Sequence, residues 1–421
     1  MKNISRNTSL TINGARLQTN IEKLGEIGLN ESYGLDRITF SSYDLEARQW
    51  FISQLKSLNL GYDIDAAANI WAISPNSSDK NPIMIGSHLD TVPNGGKYDG
   101  ALGVLIGLEI LTTILENRIE MQHPIGVVSF TAEEPNPFNL STFGSRVVTG
   151  KLKKSDIADV QTKDGLSLKT ALALAGGSIE EIETARKNSL DLTAYLEVHI
   201  EQGKRLLNQS IPIGVVTAIT GIYREEITFK GEANHAGTTL MTERNDALVA
   251  ASKFVVAFEE IVRNDPSDEV VGTIGQFSIS PGAPSIIPNE VKLLMEVRGD
   301  TTEKIKHIIK KVEKVFEELT SRQPLEIARN IILDQAPTKM DETIIRAFEN
   351  AVPPEENYLL LGSMAGHDAT HLASITKAGM LFVPSIDGKS HCPEEYSRME
   401  DIEKAANVLL QAIFKLDVTL D

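Results

Sequence analysis

The 421-residue chain has a single cysteine, Cys392, so no disulfide can form within it and a reducing compartment is its natural setting. It has no run of about 18 apolar residues, which excludes a helical membrane span. The opening residues, MKNISRNTSLTINGARL, lack the apolar core of a secretory signal, and a cytoplasmic protein is expected. Positive charge is scarce as well: 41 Lys and Arg face 58 Asp and Glu, a net charge of −17. Such a surface argues against nucleic acid and against an anionic membrane as partners, without excluding a local basic pocket. Internal repeats and low-complexity tracts are also missing.

What is present is an ordinary globular composition, 41% hydrophobic and 24% charged, on a chain long enough for two or three domains. Strand-like and helix-like segments alternate in the first half. Residues 44–58 and 101–119 have helical spacing, whereas 81–86, 125–132 and 192–200 read as short apolar strands. This alternation predicts a mostly parallel sheet flanked by helices. From about residue 212 the character changes. The stretch 211–232 reads as paired antiparallel strands, 244–262 as a helix, 270–280 and 291–300 as strands, and 302–321 as a helix. The expected layout is a catalytic α/β domain over 1–211 and 331–421, interrupted by a small α+β domain at 212–330.

The stretch GSHLDTVPNGGKYDGALGV (86–104) places His88, Asp90 and Asp99 in a glycine-rich loop between a strand and a helix. Four other stretches add to it: TAEEPNPF (131–138) with Glu133 and Glu134, LEVHIEQG (196–203) with His199, GEANHAGTT (231–239) with His235, and GKSHCPEE (388–395) with His391. A glutamate pair is usually a solvated surface feature, and a lone histidine is usually a hydrogen-bonded bystander. Placement changes those odds. His88, Asp99, Glu134, His199 and His391 all follow predicted strands of one sheet, whose C-terminal ends converge on a single crevice. Imidazoles with carboxylates suit zinc, manganese or cobalt. Asp90, two residues beyond His88, is placed to accept that imidazole's second N–H. The two oxygens of Asp99 can bridge a pair of ions about 3.5–4 Å apart. One of the adjacent glutamates can bind metal while the other acts as a general base toward water, which implies metal-assisted hydrolysis.

These motifs, together with RNDA, IPNEVKLLMEVR and AGHDA, occur in the order of one family. From about residue 15 to its end the chain resembles the dinuclear-metal amidohydrolases related to aminoacylase and carboxypeptidase G. Within them it is most similar to the N-carbamoyl-L-amino-acid hydrolase and allantoate amidohydrolase branch. The resemblance implies two divalent ions held by His88, Asp99, Glu134, His199 and His391, with Asp99 bridging. It implies Glu133 as general base and Asp90 as the orienting group. It also implies a ferredoxin-like inserted domain that serves as lid and dimerisation surface. His235 would reach a neighbouring subunit's active site in a homodimer and stabilise the oxyanion. Gln202, Asn289, Arg298, Gly366 and His367 match substrate contacts, and a guanidinium at 298 suits a carboxylate. The implied reaction is attack of metal-activated water on a ureido carbonyl. N-carbamoyl-L-amino acids come first as substrates and allantoate second, followed by aminoacylase or dipeptidase chemistry. A silent metal-binding scaffold is the alternative from another class.

Blander readings stand beside these. Arg298 can simply pair with an acid, and Gly366 can be a helix-entry glycine. His123 and His307 fall in no motif, and His371 is expected on a helix surface. The chain also departs from its relatives. Pro135-Asn136-Pro137-Phe138 replaces Gly-Ser-Arg-Phe, which removes a positive charge and bears on substrate preference. Glu296 replaces an aspartate, and Cys392 stands beside a ligand, where a small buried residue is expected.

Overall fold

The computed structural model describes residues 10–75, 79–189, 191–267, 269–322 and 325–420. Residues 1–9, which the signal-sequence reading also used, lie outside them. Among the described residues no helix is long and apolar enough to cross a membrane.

Short β1 (Tyr62–Ile64) and β2 (Ile70–Ile73) pair antiparallel at one edge of a nine-stranded sheet. They are followed by β3 (Ile83–His88), β4 (Ile125–Phe130), β5 (Ala194–Ile200) and β6 (Ile213–Ile219). A second, four-stranded sheet holds β7 (Gly221–Lys230), β8 (Val270–Ser280), β9 (Glu290–Gly299) and β10 (Glu326–Gln335). The chain then returns to the large sheet with β11 (Thr338–Lys339), β12 (Tyr358–Ser363) and β13 (Lys377–Val383). The large sheet runs β1-β2-β4-β3-β5-β13-β6-β11, with β12 paired to β6. Its four central strands, β4, β3, β5 and β13, are parallel to one another. β3, β4 and β5 are buried at every residue, as strands covered on both faces must be. The fold is therefore mixed α/β, with a parallel centre and a separate antiparallel sheet.

The helix Ala101–Glu116 is apolar almost all round, because it lies between β3 and β4 on one side and the helices Gly14–Leu24 and Met399–Thr419 on the other. Met399–Thr419, β12 and the short β1 and β2 were not foreseen from the sequence.

Two compact units result. One contains the chain up to Thr217 with Lys339–Leu361 and Gly366 to the C-terminus, and the other contains Ala218–Thr338 with Gly362–Ala365. The expected antiparallel pair within 211–232 does not form. β6 is buried almost throughout and joins β13, whereas β7 alternates and pairs with β9 and β10. The boundaries read at 212 and 330 shift accordingly, since β6 stays with the large sheet and β10, overlooked in the sequence, completes the small one. In that unit the order is β10-β7-β9-β8. The helices Ala247–Arg263 and Thr302–Arg322 pack on it over a core that includes Phe229, Phe254 and Phe316.

Candidate metal centre

Parallel neighbours end on the same side of a sheet, so the C-terminal ends of β3, β4, β5 and β13 open on one crevice. His88 is the last residue of β3 and pairs in register with Phe130, the last of β4; on β5, His199 faces Phe382 of β13. Glu133 and Glu134 follow β4, and His391 lies in the loop after β13. At these exits Ala132, Gln202 and His391 take left-handed φ values of 58°, 59° and 57°. Such conformations cost non-glycine residues about 1–2 kcal/mol each, and they gather where function over-determines the geometry.

The five expected ligands fall in two groups that share Asp99, and a third group, Glu197, His199 and His367, shares only His199 with them. His88, Asp99 and His199 place one ligand atom each within 4.8 Å of one another, and so do Asp99, Glu134 and His391. Asp99 Oδ1 lies 3.1 Å from His199 Nε2 and 3.7 Å from His88 Nε2, whereas Oδ2 lies 3.4 Å from His391 Nε2. His391 Nε2 is also 3.3 Å from Glu134 Oε1. Nδ1 of His88 donates to the Asp90 carbonyl and Nδ1 of His199 to the Ile200 carbonyl, both at 3.0 Å. In the neutral imidazoles this leaves each Nε2 lone pair facing a carboxylate oxygen. Such a contact needs either a proton on Nε2 or a cation between the two groups, and imidazole with carboxylate is a donor set for divalent ions. The residues present therefore fit two divalent cations, with Asp99 common to both.

Without a metal, protons fill those places at His199 and His391. Burial alone would lower His199, but Asp99 and then Glu197 outweigh it and hold the imidazole up to about 9. Hydrogen bonds to Asp99 and Glu134 hold His391 up to about 10. The Asp99 carboxyl stays well below its usual range, because the three histidines overcome its burial. Glu133 is pushed well above the carboxylate range by burial and then by Glu134 and Asp368. Its Oε2 is 3.6 Å from His88 Nε2, and its side chain is 11% exposed, enough to meet a small substrate.

The glycines of the loop differ in purpose. Of Gly95, Gly96, Gly100 and Gly103, only Gly100 has a positive φ, 65°. A Cβ at Gly100 would overlap the His88 imidazole. The others permit close approach rather than an unusual backbone.

Several expected substrate contacts have definite partners. Gln202 donates its amide to Asp99 Oδ2 at 2.7 Å. His367 is buried and meets the His199 ring edge-on at 4.5 Å. Burial, then His199, depresses it well below the usual imidazole value, so it forms the neutral wall behind that ligand. Gly366 is exposed, and a Cβ there would meet open space, so packing does not require glycine. It precedes a helix of only four residues, Ala369–Leu372.

Three expected site residues lie in the second unit. His235 is exposed, and its Nδ1 accepts the N–H groups of Gly237 at 3.0 Å and Thr238 at 3.2 Å. Nε2 therefore carries the proton and is presented as a donor. Asn289 is exposed, and its carbonyl accepts from Gly231. Arg298 donates Nε to Glu296 at 2.7 Å and Nη1 to the Met364 carbonyl at 3.1 Å. Glu296 also binds Arg224, and the two guanidiniums overcome its burial and lower its carboxyl. The longer Glu296 thus reaches both arginines.

The Pro135–Phe138 departure is a self-held turn. Asn136 Nδ2 donates to the carbonyls of Glu134 and Leu140, and its Oδ1 accepts from Phe138 N–H at 3.1 Å. Phe138 is buried edge-on against Phe40 at 5.9 Å.

The remaining histidines are bystanders. His123 is buried on the carbonyls of Asn81 and Leu420, and His371 lies between Lys151 and Thr142, depressed to about 3 by burial and then by Lys151. His307 is exposed on its helix.

Sequence reasoning missed four groups around the ligand candidates: the buried carboxyls of Glu197, Asp368 and Glu395 and the half-buried hydroxyl of Ser390. Glu197 accepts from Ser87 Oγ at 2.8 Å, Tyr195 Oη at 3.1 Å and Ala369 N–H at 3.1 Å. Burial raises Asp368 to about 8, and burial with the Asp99 charge raises Glu395 to about 7. Ser390 donates to Asp99 Oδ2 at 2.7 Å. The signal for Glu197 was available, since it stands two residues before His199 on a strand and so shares its face.

Residues 84–415 match the profile of the Peptidase family M20/M25/M40. The chain is 35% identical over 411 residues to an N-carbamoyl-L-amino-acid amidohydrolase of Pseudomonas sp. (strain NS671), covering 97% of this chain and 99% of that one. It is 32% identical over 403 residues to an allantoate amidohydrolase of Bacillus subtilis (strain 168), covering 94% and 96%. Among solved structures it resembles an amidase of the hydantoinase/carbamoylase family from Burkholderia multivorans. That match has a TM-score of 0.87 at 29% identity, over 97% of this chain and 98% of the other.

Proposed function

Because the chain belongs to the Peptidase family M20/M25/M40, we propose that it is a metal-dependent hydrolase of ureido C–N bonds in small carboxylates, with N-carbamoyl-L-amino acids as the first substrate class. The relative from Pseudomonas supports that class, and the Bacillus relative supports allantoate as the second. The single observation that carries the reading is Asp99 shared between two ligand groups, with Glu133 beside them.

Divalent cations bound there would supply Lewis acidity toward the substrate carbonyl and toward water. His88, Asp99 and His199 would hold one, and Asp99, Glu134 and His391 would hold the other. Glu133 takes the proton of the attacking water at Oε2 and delivers it to the leaving nitrogen. Arg298 and Asn289 bind the substrate carboxylate, and Gly366 is assigned to substrate binding as well. Gln202 and His367 hold Asp99 and His199 in place. The Nε2–H of His235 donates to the oxyanion. We further propose a cytoplasmic homodimer in which the ferredoxin-like unit is both lid and dimerisation surface, with His235 serving the neighbouring subunit.

The test begins with metal-stripped protein reloaded with manganese, zinc or cobalt. Ammonia release is followed from several N-carbamoyl-L-amino acids and from allantoate, and the freed amine from N-acetyl amino acids. Release from a ureido compound is expected, and Glu133→Gln should reduce it by about 10²–10⁴-fold with both ions retained. Activity on N-acetyl compounds alone would move the protein to aminoacylase chemistry, and silence on all of them would leave a scaffold. A monomer with full activity would remove the role given to His235.

A further inference from the structure

Glu395, four residues beyond His391, is 4% exposed and lies under the loop that carries Asp99. Its Oε1 accepts two successive backbone N–H groups, those of Tyr98 at 2.9 Å and Asp99 at 3.0 Å. Ser390 Oγ shares its one proton between Asp99 Oδ2 at 2.7 Å and Glu395 Oε2 at 3.1 Å. The Glu395 N–H closes a turn onto the Cys392 carbonyl, in the same loop as the left-handed His391. Gly96 makes the approach possible, since a Cβ there would overlap the Glu395 carboxylate. One carboxylate thus grips the backbone of the bridging residue and, through Ser390, its outer oxygen, and anchors the His391 loop to both.

From this geometry we infer that Glu395 is a positioning residue: it sets the pose of Asp99 and clamps the His391 loop, and so controls the cation held by Asp99, Glu134 and His391. The inference rests on the two-cation reading above. Its effect is one-sided for a physical reason. The tie through Ser390 ends on Oδ2, the oxygen that faces His391, whereas Oδ1 faces His199 and His88 on the rigid ends of β5 and β3. Loss of Glu395 should therefore loosen one ion and spare the other. Outer groups that orient metal ligands are typically worth about 10–100-fold in metal affinity.

The experiment measures metal stoichiometry and stepwise affinity by calorimetry, together with the visible absorption of cobalt-loaded protein, for wild type, Glu395→Ala and Glu395→Gln. The wild type is expected to take two ions. Glu395→Ala should keep the first at wild-type affinity and bind the second about 10–100-fold more weakly, with an altered cobalt spectrum. Glu395→Gln retains an oxygen for the two N–H groups and an amide that can reach Ser390, so it should restore the second ion and the spectrum. If Glu395→Ala does not fold, Ser390→Ala carries the test, because it removes only the tie to Oδ2 and should weaken the same single ion. The inference is overturned if wild type and Glu395→Ala bind both ions alike with one spectrum, if both ions weaken equally, or if Ser390→Ala changes neither. A wild type that binds fewer than two ions refutes the two-cation reading itself.

Discussion

The Asp90 carboxylate accepts the backbone N–H of Glu134, Oδ2 to N at 3.2 Å, and its other oxygen takes the Glu133 N–H at 3.3 Å. Thr39 Oγ1 adds a third bond to Oδ2 at 2.8 Å. The sequence placed Asp90 behind His88, yet His88 Nδ1 is closer to the Asp90 carbonyl, 3.0 Å, than to its carboxylate, 3.7 Å. Asp90 therefore orients the glutamate pair through its side chain and the histidine through its backbone. Asp90→Asn keeps only one acceptor for the two N–H groups, and its NH2 must face a donor. We expect kcat to fall about 10–100-fold, whereas Thr39→Val, which leaves both N–H bonds intact, should cost far less. Steady-state kinetics with metal analysis of both variants decides this, and equal effects would contradict it.

Gly100 provides a second check. At φ 65°, with His88 where a Cβ would lie, alanine is excluded twice over. The backbone cost alone is about 1–2 kcal/mol, and displacement of the imidazole adds to it. Gly100→Ala should lower the denaturant midpoint and lose the ion held by His88 and His199. Unchanged stoichiometry would show that the loop can move aside.

Protons and metals compete for this centre. In the metal-free protein His199 and His391 titrate near 9 and 10, above the ordinary imidazole value of 6.5. Their contribution to stability is therefore fully present below about 6.5 and is lost as pH rises through about 9 to 10. Metal ligation needs the neutral rings, so uptake near neutral pH must release protons, and apparent affinity must rise with pH up to the same range. Calorimetry in buffers of different ionisation enthalpy measures that release. Uptake with no proton release at pH 7.5 would disprove the shifts.

The Asn136 turn makes a prediction about the segment after Glu134, the ligand we propose. Asn136→Ala removes the bonds to the Glu134 and Leu140 carbonyls and to the Phe138 N–H. A loss of about 1–3 kcal/mol follows from the unsatisfied polar groups, with a rise in KM if the turn borders the substrate. Thermal melts and kinetics separate these effects, and a KM unchanged alongside lower stability would place the turn away from the substrate.

The glycine-rich loop, the glutamate pair and three histidines were legible in the sequence because each sits next to a strand whose apolar run is unmistakable. The order of those runs was enough to predict one crevice and a metal-dependent hydrolase. Strand partners were not legible: β6 and β7 are consecutive yet join different sheets, since pairing is settled by what covers each face rather than by adjacency. Nor were the supporting groups. Glu395 and Ser390 meet the Asp99 loop across nearly 300 residues of chain, and Asp90 reaches Glu134 across 44. Residue type and local spacing can announce a ligand, because coordination chemistry is local. Which buried donor holds that ligand still depends on long-range contact, and only the folded chain decides it.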